Sequence, residues 1–309
     1  MKKVLVLILI IILAVPVVLY FAFPDVLYNI SIKWERKSAG LETKAIKLQD
    51  HLISYLEGGK GETILLLHGF SANKDNWGRF AKYLTKNYHV VAPDLPGFGE
   101  SSKINESDYN SASQVLRVDQ FVCALDLTKF HIAGNSMGGS IAGRYAIHFP
   151  EKVLSLGLFN TGGVFSCNKS EMTKLLEQGK NPLLIESPED YDKMLSFVFV
   201  KPPFIPRPVK SYLIKKSIVD KPFNEKIIKD LFEERYSLES DLSKIKANTL
   251  ILWGDTDRLI DVSCTKPLEK GLLNSKTVII KNCGHLPMLE KPEETAKFYL
   301  EFIKQNKKG

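Results

Sequence analysis

Short apolar runs alternate with amphipathic stretches of helical length through most of this sequence, and that alternation leaves few folds open. The runs are Thr63 to Leu67, His89 to Ala92, Phe130 to Ala133, Val153 to Phe159, Thr249 to Trp253 and Thr277 to Ile280. Each is bounded by turn residues, as expected of strands buried on both faces. Helical patterns cover Trp77 to Thr85, Ser113 to Leu125, Met137 to His148 and Glu293 to Lys304. Strand followed by helix followed by strand predicts parallel units joined by right-handed crossovers. Two further runs at the front, Ala45 to Leu48 and Leu52 to Leu56, meet at Gln49-Asp50 and read as a hairpin. The expected architecture is a mostly parallel eight-stranded sheet with helices on both faces.

One interval breaks the rhythm. Residues 163 to about 240 are too long for a loop and carry helical patterns at Lys210 to Ile218 and Glu225 to Glu234. A proline cluster, Lys201-Pro-Pro-Phe-Ile-Pro-Arg-Pro208, interrupts them. This reads as a helical cap inserted over the edge where the strands end. No internal repeat and no low-complexity segment appears.

The N-terminus departs from globular composition. Lys2 and Lys3 precede an uncharged run from Val4 to Phe23, about 20 residues, which as a helix spans about 30 Å, the thickness of a hydrocarbon core. Tyr20, Phe21 and Phe23 at its end suit a membrane-interface belt. A cleaved signal peptide, giving a secreted or periplasmic protein, is the alternative. The run is longer than the usual signal core and lacks a clear small-x-small site after it, which favours an uncleaved anchor. Lys33, Arg36 and Lys37 follow, so both flanks are basic and the membrane side is open. The division is 1–24 anchor, 25–43 juxtamembrane connector and 44–309 globular domain with the cap inside it. The net charge of +7 is spread along the chain without a dense basic run, which argues against nucleic acid. The four cysteines, Cys123, Cys167, Cys264 and Cys283, match no zinc spacing and read as free thiols, although an extracytoplasmic domain would permit disulfides.

The chemistry centres on Gly134-Asn135-Ser136-Met137-Gly138, which follows a predicted strand and opens a predicted helix. In that context G-x-S-x-G places a serine on a sharp turn, and the flanking glycines are needed because larger side chains would collide. The helix N-terminus beside it carries partial positive charge and free N–H groups. A serine hydroxyl needs a base. Of six histidines, His285 lies in Asn282-Cys-Gly-His285, after the last strand, in a loop that opens on the same sheet edge as Ser136. His68 follows the strand Thr63 to Leu67 and reads as shaping the next loop. The base needs an acid, and Gly254-Asp255-Thr256-Asp257 follows the strand Thr249 to Trp253. Asp257 is preferred because it lies past the turn begun by Gly254, with Asp255 the runner-up. The alternative acid position, after Val153 to Phe159, holds Asn160, which does not ionise. The oxyanion donors expected are the backbone amides of Met137 and of Phe70, in His68-Gly69-Phe70.

From about residue 45 to 305 the chain resembles the membrane-anchored monoacylglycerol lipases of the α/β-hydrolase superfamily and the family V bacterial lipases. The resemblance rests on His68-Gly-Phe-Ser-Ala-Asn-Lys-Asp-Asn-Trp77, Asp94-Leu-Pro-Gly-Phe-Gly99, Gly134-Asn-Ser-Met-Gly-Gly139, Arg235-Tyr-Ser-Leu238, Trp253-Gly-Asp-Thr-Asp257 and Asn282-Cys-Gly-His285. It implies an α/β-hydrolase fold and a catalytic triad of Ser136, Asp257 and His285. It also implies oxyanion donors at Phe70 and Met137, a lipid-ester substrate such as a monoacylglycerol, and no metal or organic cofactor. The implied setting is a membrane reached through the N-terminal helix; no oligomeric state is assigned. Two alternatives on the same fold are a hydrolase cleaving the C–C bond of meta-cleavage products and a low-turnover ligand receptor. The first is demoted because Phe70-Ser-Ala-Asn73 replaces a Gly-Pro-Gly type loop and no Trp follows His285 closely. An intact triad argues against the second.

Overall fold

The computed structural model describes residues 22–234 and 236–306. The predicted anchor, Val4 to Phe23, lies outside these apart from Ala22 and Phe23. Among the described residues no helix is long and apolar enough to cross a membrane.

The sheet has eight strands: β1 (Leu41–Lys47), β2 (Leu52–Gly58), β3 (Thr63–Leu67), β4 (His89–Pro93), β5 (Phe130–Asn135), β6 (Val153–Phe159), β7 (Thr249–Gly254) and β8 (Ser275–Ile280). Their spatial order is β1-β2-β4-β3-β5-β6-β7-β8. β2 pairs antiparallel with both β1 and β4, and the remaining pairs are parallel, so β2 alone runs against the rest. The mostly parallel eight-stranded sheet and its leading hairpin are as expected. β1 starts four residues earlier than its apolar run because pairing with β2, rather than burial, defines Glu42 to Lys44, with Leu41 alone buried ahead of them.

β3 shows why the central strands read as continuous apolar runs. Ile64 and Leu66 enter one core and Leu65 and Leu67 the other, all four fully buried. Each such side chain contributes roughly 1.5–3 kcal/mol on burial. One face is covered by α3 (Ser111–Ala124) and α4 (Met137–His148), through Val115, Val118, Ile141 and Tyr145. The other is covered by α2 (Gly78–Leu84) and α10 (Pro292–Asn306), through Phe80, Leu84, Tyr299 and Phe302. Between them in chain order come α8 (Thr265–Gly271) and α9 (Pro287–Glu290).

Two further groups of helices lie outside the alternation. The interval after β6 holds α5 (Glu171–Glu177), α6 (Pro188–Val198) and α7 (Arg207–Glu234). α7 is one helix where the pattern indicates two, because it continues through Pro222. Ahead of β1, where the sequence reads as a connector, α1 spans Pro24–Ser38. Its signals are those of a helix with little to bury. Pro24 stands in the first turn with Asp25, Arg36 and Lys37 in the last, and Gly40 follows at φ 67°.

The reading of four free thiols is corrected for two of them. Cys167 and Cys264 form a disulfide across 97 residues, with Cα atoms 4.8 Å apart. Cys123 and Cys283 are free. No spacing rule reveals the pair, since it joins the start of the cap interval to the turn before α8.

Candidate active site

Ser136 stands alone between β5 and α4 at φ 56°, ψ −121°. A non-glycine residue held there stores of order 1–3 kcal/mol, which the surrounding packing must impose. The glycines around it are sterically required. A Cβ on Gly134 would lie 2.1 Å from the Gly138 carbonyl oxygen, and one on Gly138 would lie 2.3 Å from that of Leu67. Gly69 serves the facing loop: a Cβ there would come within 3.1 Å of the Ser136 Cβ. The Ser136 carbonyl oxygen accepts from the amides of Gly139 and Gly162, at 3.0 and 2.9 Å, closing the turn from both sides.

His285 and Asp257 come from the loops after β8 and β7 and are 3% and 7% exposed. His285 Nδ1 lies 2.8 Å from Asp257 Oδ2. A carboxylate accepts only, so Nδ1 carries the proton and Nε2 is left as the basic nitrogen. Asp257 is in turn fixed by three donors. The amides of Leu259 and Ile260 bond Oδ1 at 2.8 and 3.1 Å, and Asn160 Nδ2 bonds Oδ2 at 2.7 Å. Asp255 turns elsewhere, accepting from the Thr256 hydroxyl at 2.8 Å and the Cys283 amide at 3.4 Å. Of the two candidate acids, the structure brings Asp257 to His285.

Three supporting side chains carry no motif-level role in the sequence. Asn160, read there only as a missing acid, lies at φ 44° and reaches Asp257. Asn135, read as the variable position of G-x-S-x-G, donates to the His285 and Phe159 carbonyls at 3.0 and 3.1 Å, so it ties the serine turn to the histidine loop. Glu290 accepts from the Gly284 amide at 2.8 Å and the Lys201 amide at 2.7 Å. With His285 N–H donating to Val198 O at 2.8 Å, it joins the histidine loop to the end of α6. Asn160 sits where an acid follows β6 in the other arrangement, and a polar residue there is the signal that points to it.

His68 behaves as its position indicates. Its Nδ1–H donates to Gly69 O at 2.8 Å and its Nε2 accepts from the Leu95 amide at 2.9 Å. Burial lowers its pKa below the ordinary histidine range. A neutral imidazole thereby holds the loop that carries Phe70. Ser136, His285, Gly69 and Phe70 line one cavity of about 380 Å³. Met137 opens α4 with its side chain packed on the core, so only its amide is available to the site.

Residues 62–202 match the family described as the alpha/beta hydrolase fold. Lipase 1 of Psychrobacter immobilis is 38% identical over 280 residues, 88% of this chain and 87% of that one. The human monoacylglycerol lipase ABHD6 is 35% identical over 94% of this chain and 92% of its own length. The chain belongs to the α/β-hydrolase family. It is a hydrolase of the lipase and esterase class. Among solved structures, a bacterial membrane phospholipase A superposes with a TM-score of 0.92 at 45% identity, over the whole of both chains.

In this α/β-hydrolase the far wall of the cavity comes from the interval after β6. Phe199, Phe204 and Ile205 of that interval line the cavity. Phe197 instead packs against the small cluster of Val198, Phe199 and Leu259. Tyr191, Leu213 and Leu183 add to the apolar wall, and Lys103, Lys216 and Asp220 contribute charged groups.

Proposed function

We propose that this hydrolase cleaves the acyl esters of amphiphilic lipids by a two-step transfer through Ser136. The observation that carries the reading is a serine on a left-handed strand-to-helix turn, in one cavity with a histidine whose Nδ1 is fixed on a buried carboxylate. The Ser136 hydroxyl adds to the ester carbonyl carbon while its proton passes to His285 Nε2. The negative oxygen is met by the amides of Phe70 and Met137. The carbon–oxygen bond to the alcohol breaks as His285 returns the proton to that alcohol, leaving an acyl-enzyme. Water then adds, its proton passing through His285 back to Ser136 as the fatty acid leaves. Asp257 stabilises the imidazolium between these steps without itself taking the proton.

The substrate class is supported by the apolar cavity wall and by the relatives named lipase and monoacylglycerol lipase. A glycerophospholipid is the second reading, favoured by the likeness to a membrane phospholipase A and by Lys103 and Lys216 at the cavity. The run Val4 to Phe23 is proposed as the membrane anchor. Phe23, Val26, Ile30 and Trp34, on one side of α1, are exposed and continue its apolar character beyond the span. The Cys167–Cys264 bond supports a catalytic domain on the oxidising side of that membrane.

The test is hydrolysis of an ester series from acetate to long-chain monoacylglycerol and phosphatidylcholine by the full-length chain, beside Ser136→Ala. Turnover that rises with chain length and falls by about 10⁶ in kcat in the variant is expected. A folded wild-type protein that cleaves no ester sinks the reading and turns attention to a C–C bond substrate or to ligand binding without turnover.

A further inference from the structure

The cavity has a wall that belongs neither to the sheet nor to the cap. Tyr28, Ile32 and Glu35 of α1 line it together with Phe70 and Ser136. α1 precedes the first strand, and it buries no residue completely, so the ordinary packing of a βα layer does not place it.

What places it is a clamp at its last turn. Arg36 Nε and Nη2 bond Asp75 Oδ1 and Oδ2 at 2.7 Å each, a two-pronged pair that fixes direction as well as distance. Arg36 Nη1 also reaches Thr43 Oγ1 at 2.8 Å, and Nη2 lies 3.6 Å from Glu100. Both partners of the pair are largely buried, with side chains 13% and 15% exposed. Glu35 accepts from Arg79 at 3.2 Å on the same turn. The anchor point is itself rigid. Asp75 follows Lys74, whose side chain is 1% exposed and whose ammonium bonds Asp94 at 2.6 Å and Glu100 at 2.9 Å. Burial works to raise the Glu100 carboxyl, but Lys74, Ser54 and Arg36 together outweigh it and hold it below the ordinary range. The segment so fixed is the loop after β3, which also carries Phe70. Further along α1, the Tyr28 ring lies 5.3 Å from that of Tyr212 on α7. α1 is therefore held to the scaffold at one end and touches the cap at the other.

We propose that α1 is the acyl-selecting wall of the cavity, with Tyr28 and Ile32 setting which chains fit and Arg36 acting as the positioning residue through Asp75. This rests on the ester-hydrolase reading. It goes beyond that reading by assigning selectivity to the helix that continues the predicted anchor rather than to the cap, so that one segment both leaves the membrane and shapes the pocket.

The experiment measures kcat/KM for acetate, octanoate and palmitate esters with the full-length chain in detergent, and follows the ratio of the long to the short substrate. Ile32→Trp adds bulk at the wall and is expected to lower the palmitate-to-acetate ratio by about tenfold or more, the scale on which an apolar pocket responds to misfit. Tyr28→Ala removes bulk and should move the ratio the opposite way. Arg36→Ala frees the wall and should follow Tyr28→Ala, with Arg36→Lys recovering part of the shift, since lysine keeps the charge but not the fork. Thermal melting identifies any variant that is merely unfolded, and the ratio is read on the others. Ratios within threefold of wild type in folded Ile32→Trp and Tyr28→Ala overturn the proposal. An unshifted Arg36→Ala overturns the clamp. Failure of the ester reading looks different: the wild type then cleaves none of the series.

Discussion

Asp257 and His285 are 7% and 3% exposed, whereas Phe204, which lines the same cavity from the cap, is 91% exposed. The two regions are held differently. At the sheet edge, Asp257 accepts hydrogen bonds from His285, Asn160, Leu259 and Ile260, and the loops carrying it grow from strands that are buried on both faces. The cap has a small core of its own, Ile185, Tyr191 and Ile214, and leaves Val219, Phe204 and Phe232 in contact with solvent. The proposed chemistry sits where the Asp257 carboxylate is held by four donors. The acyl selection proposed for α1 likewise sits on a wall without a fully buried residue. That contrast makes loss of a group at the edge costly and loss in the cap modest.

Asp257→Asn sharpens the contrast most. The substitution keeps the size but removes the charge that stabilises the imidazolium, and kcat is expected to fall by about 10⁴. Asp255→Asn, two residues away, should leave kcat within about twofold, because Asp255 does not bond His285 and reaches the histidine loop only through the 3.4 Å bond from the Cys283 amide, which an asparagine oxygen can still accept. Steady-state kinetics on one ester decides it, and equal losses in the two variants would erase the distinction between the acids.

The same contrast explains what was legible in the sequence. The strand runs, the G-x-S-x-G turn and the loops bearing Asp257 and His285 are local: the turn after a buried strand needs its glycines within two residues of Ser136. The supporting contacts are not local. Asn160 and Asp257 are separated by 97 positions, as are Cys167 and Cys264, and neither pairing leaves a pattern along the chain. α1 escaped because an amphipathic pattern records burial, and α1 is held by Arg36 and Asp75 across 39 positions instead. Its end signals, Pro24-Asp25 and Arg36-Lys37 before Gly40, were present, and they are what a reader could have used. A soluble fragment begun at Ser31 would cut this helix in the middle and discard Tyr28.

Stability offers a second way to separate the regions. The Cys167–Cys264 bond closes a loop that contains the three cap helices α5, α6 and α7 and Asp257. Replacing both cysteines by serine is expected to cost about 2–5 kcal/mol, visible as a lower melting temperature that wild type reproduces on reduction. Cys123→Ser, at an exposed free thiol, should change little. A double variant as stable as wild type would show that the cap is held by its packing alone.

Asn160→Ala probes the edge with a smaller expected effect. It removes one of the donors to Asp257 and leaves the other three. A hydrogen bond to a charged group is worth about 1.5–3 kcal/mol, so kcat should fall by roughly 10–100-fold. The informative readout is kcat beside the melting temperature. A fall in kcat with the melting temperature nearly unchanged is expected; a lower melting temperature with kcat unchanged would mean that Asn160 serves the fold of the β6 loop rather than the carboxylate.

The smallest effect concerns His68, and its sign follows from the two bonds it makes. Both ring nitrogens are engaged as those of a neutral imidazole, and protonating Nε2 would set a donor against the Leu95 amide. Burial has lowered the pKa in the folded protein. The unfolded chain takes up a proton at this residue near the ordinary value of about 6.5, while the folded chain does not until lower pH. The contribution of neutral His68 is thus complete above that value and is lost as pH falls below it toward the folded-state value, with a slope of up to about 1.4 kcal/mol per pH unit. Melting curves of wild type and His68→Gln between neutral and mildly acidic pH should show the steeper loss in wild type. The variant will be less stable at neutral pH because the Leu95 amide and Gly69 carbonyl lose their partner, but its curve should be flatter. Parallel curves would mean that the loop carrying Phe70 tolerates a charged imidazole, and the boundary between a rigid edge and an adaptable wall would then have to be drawn on the other side of Gly69.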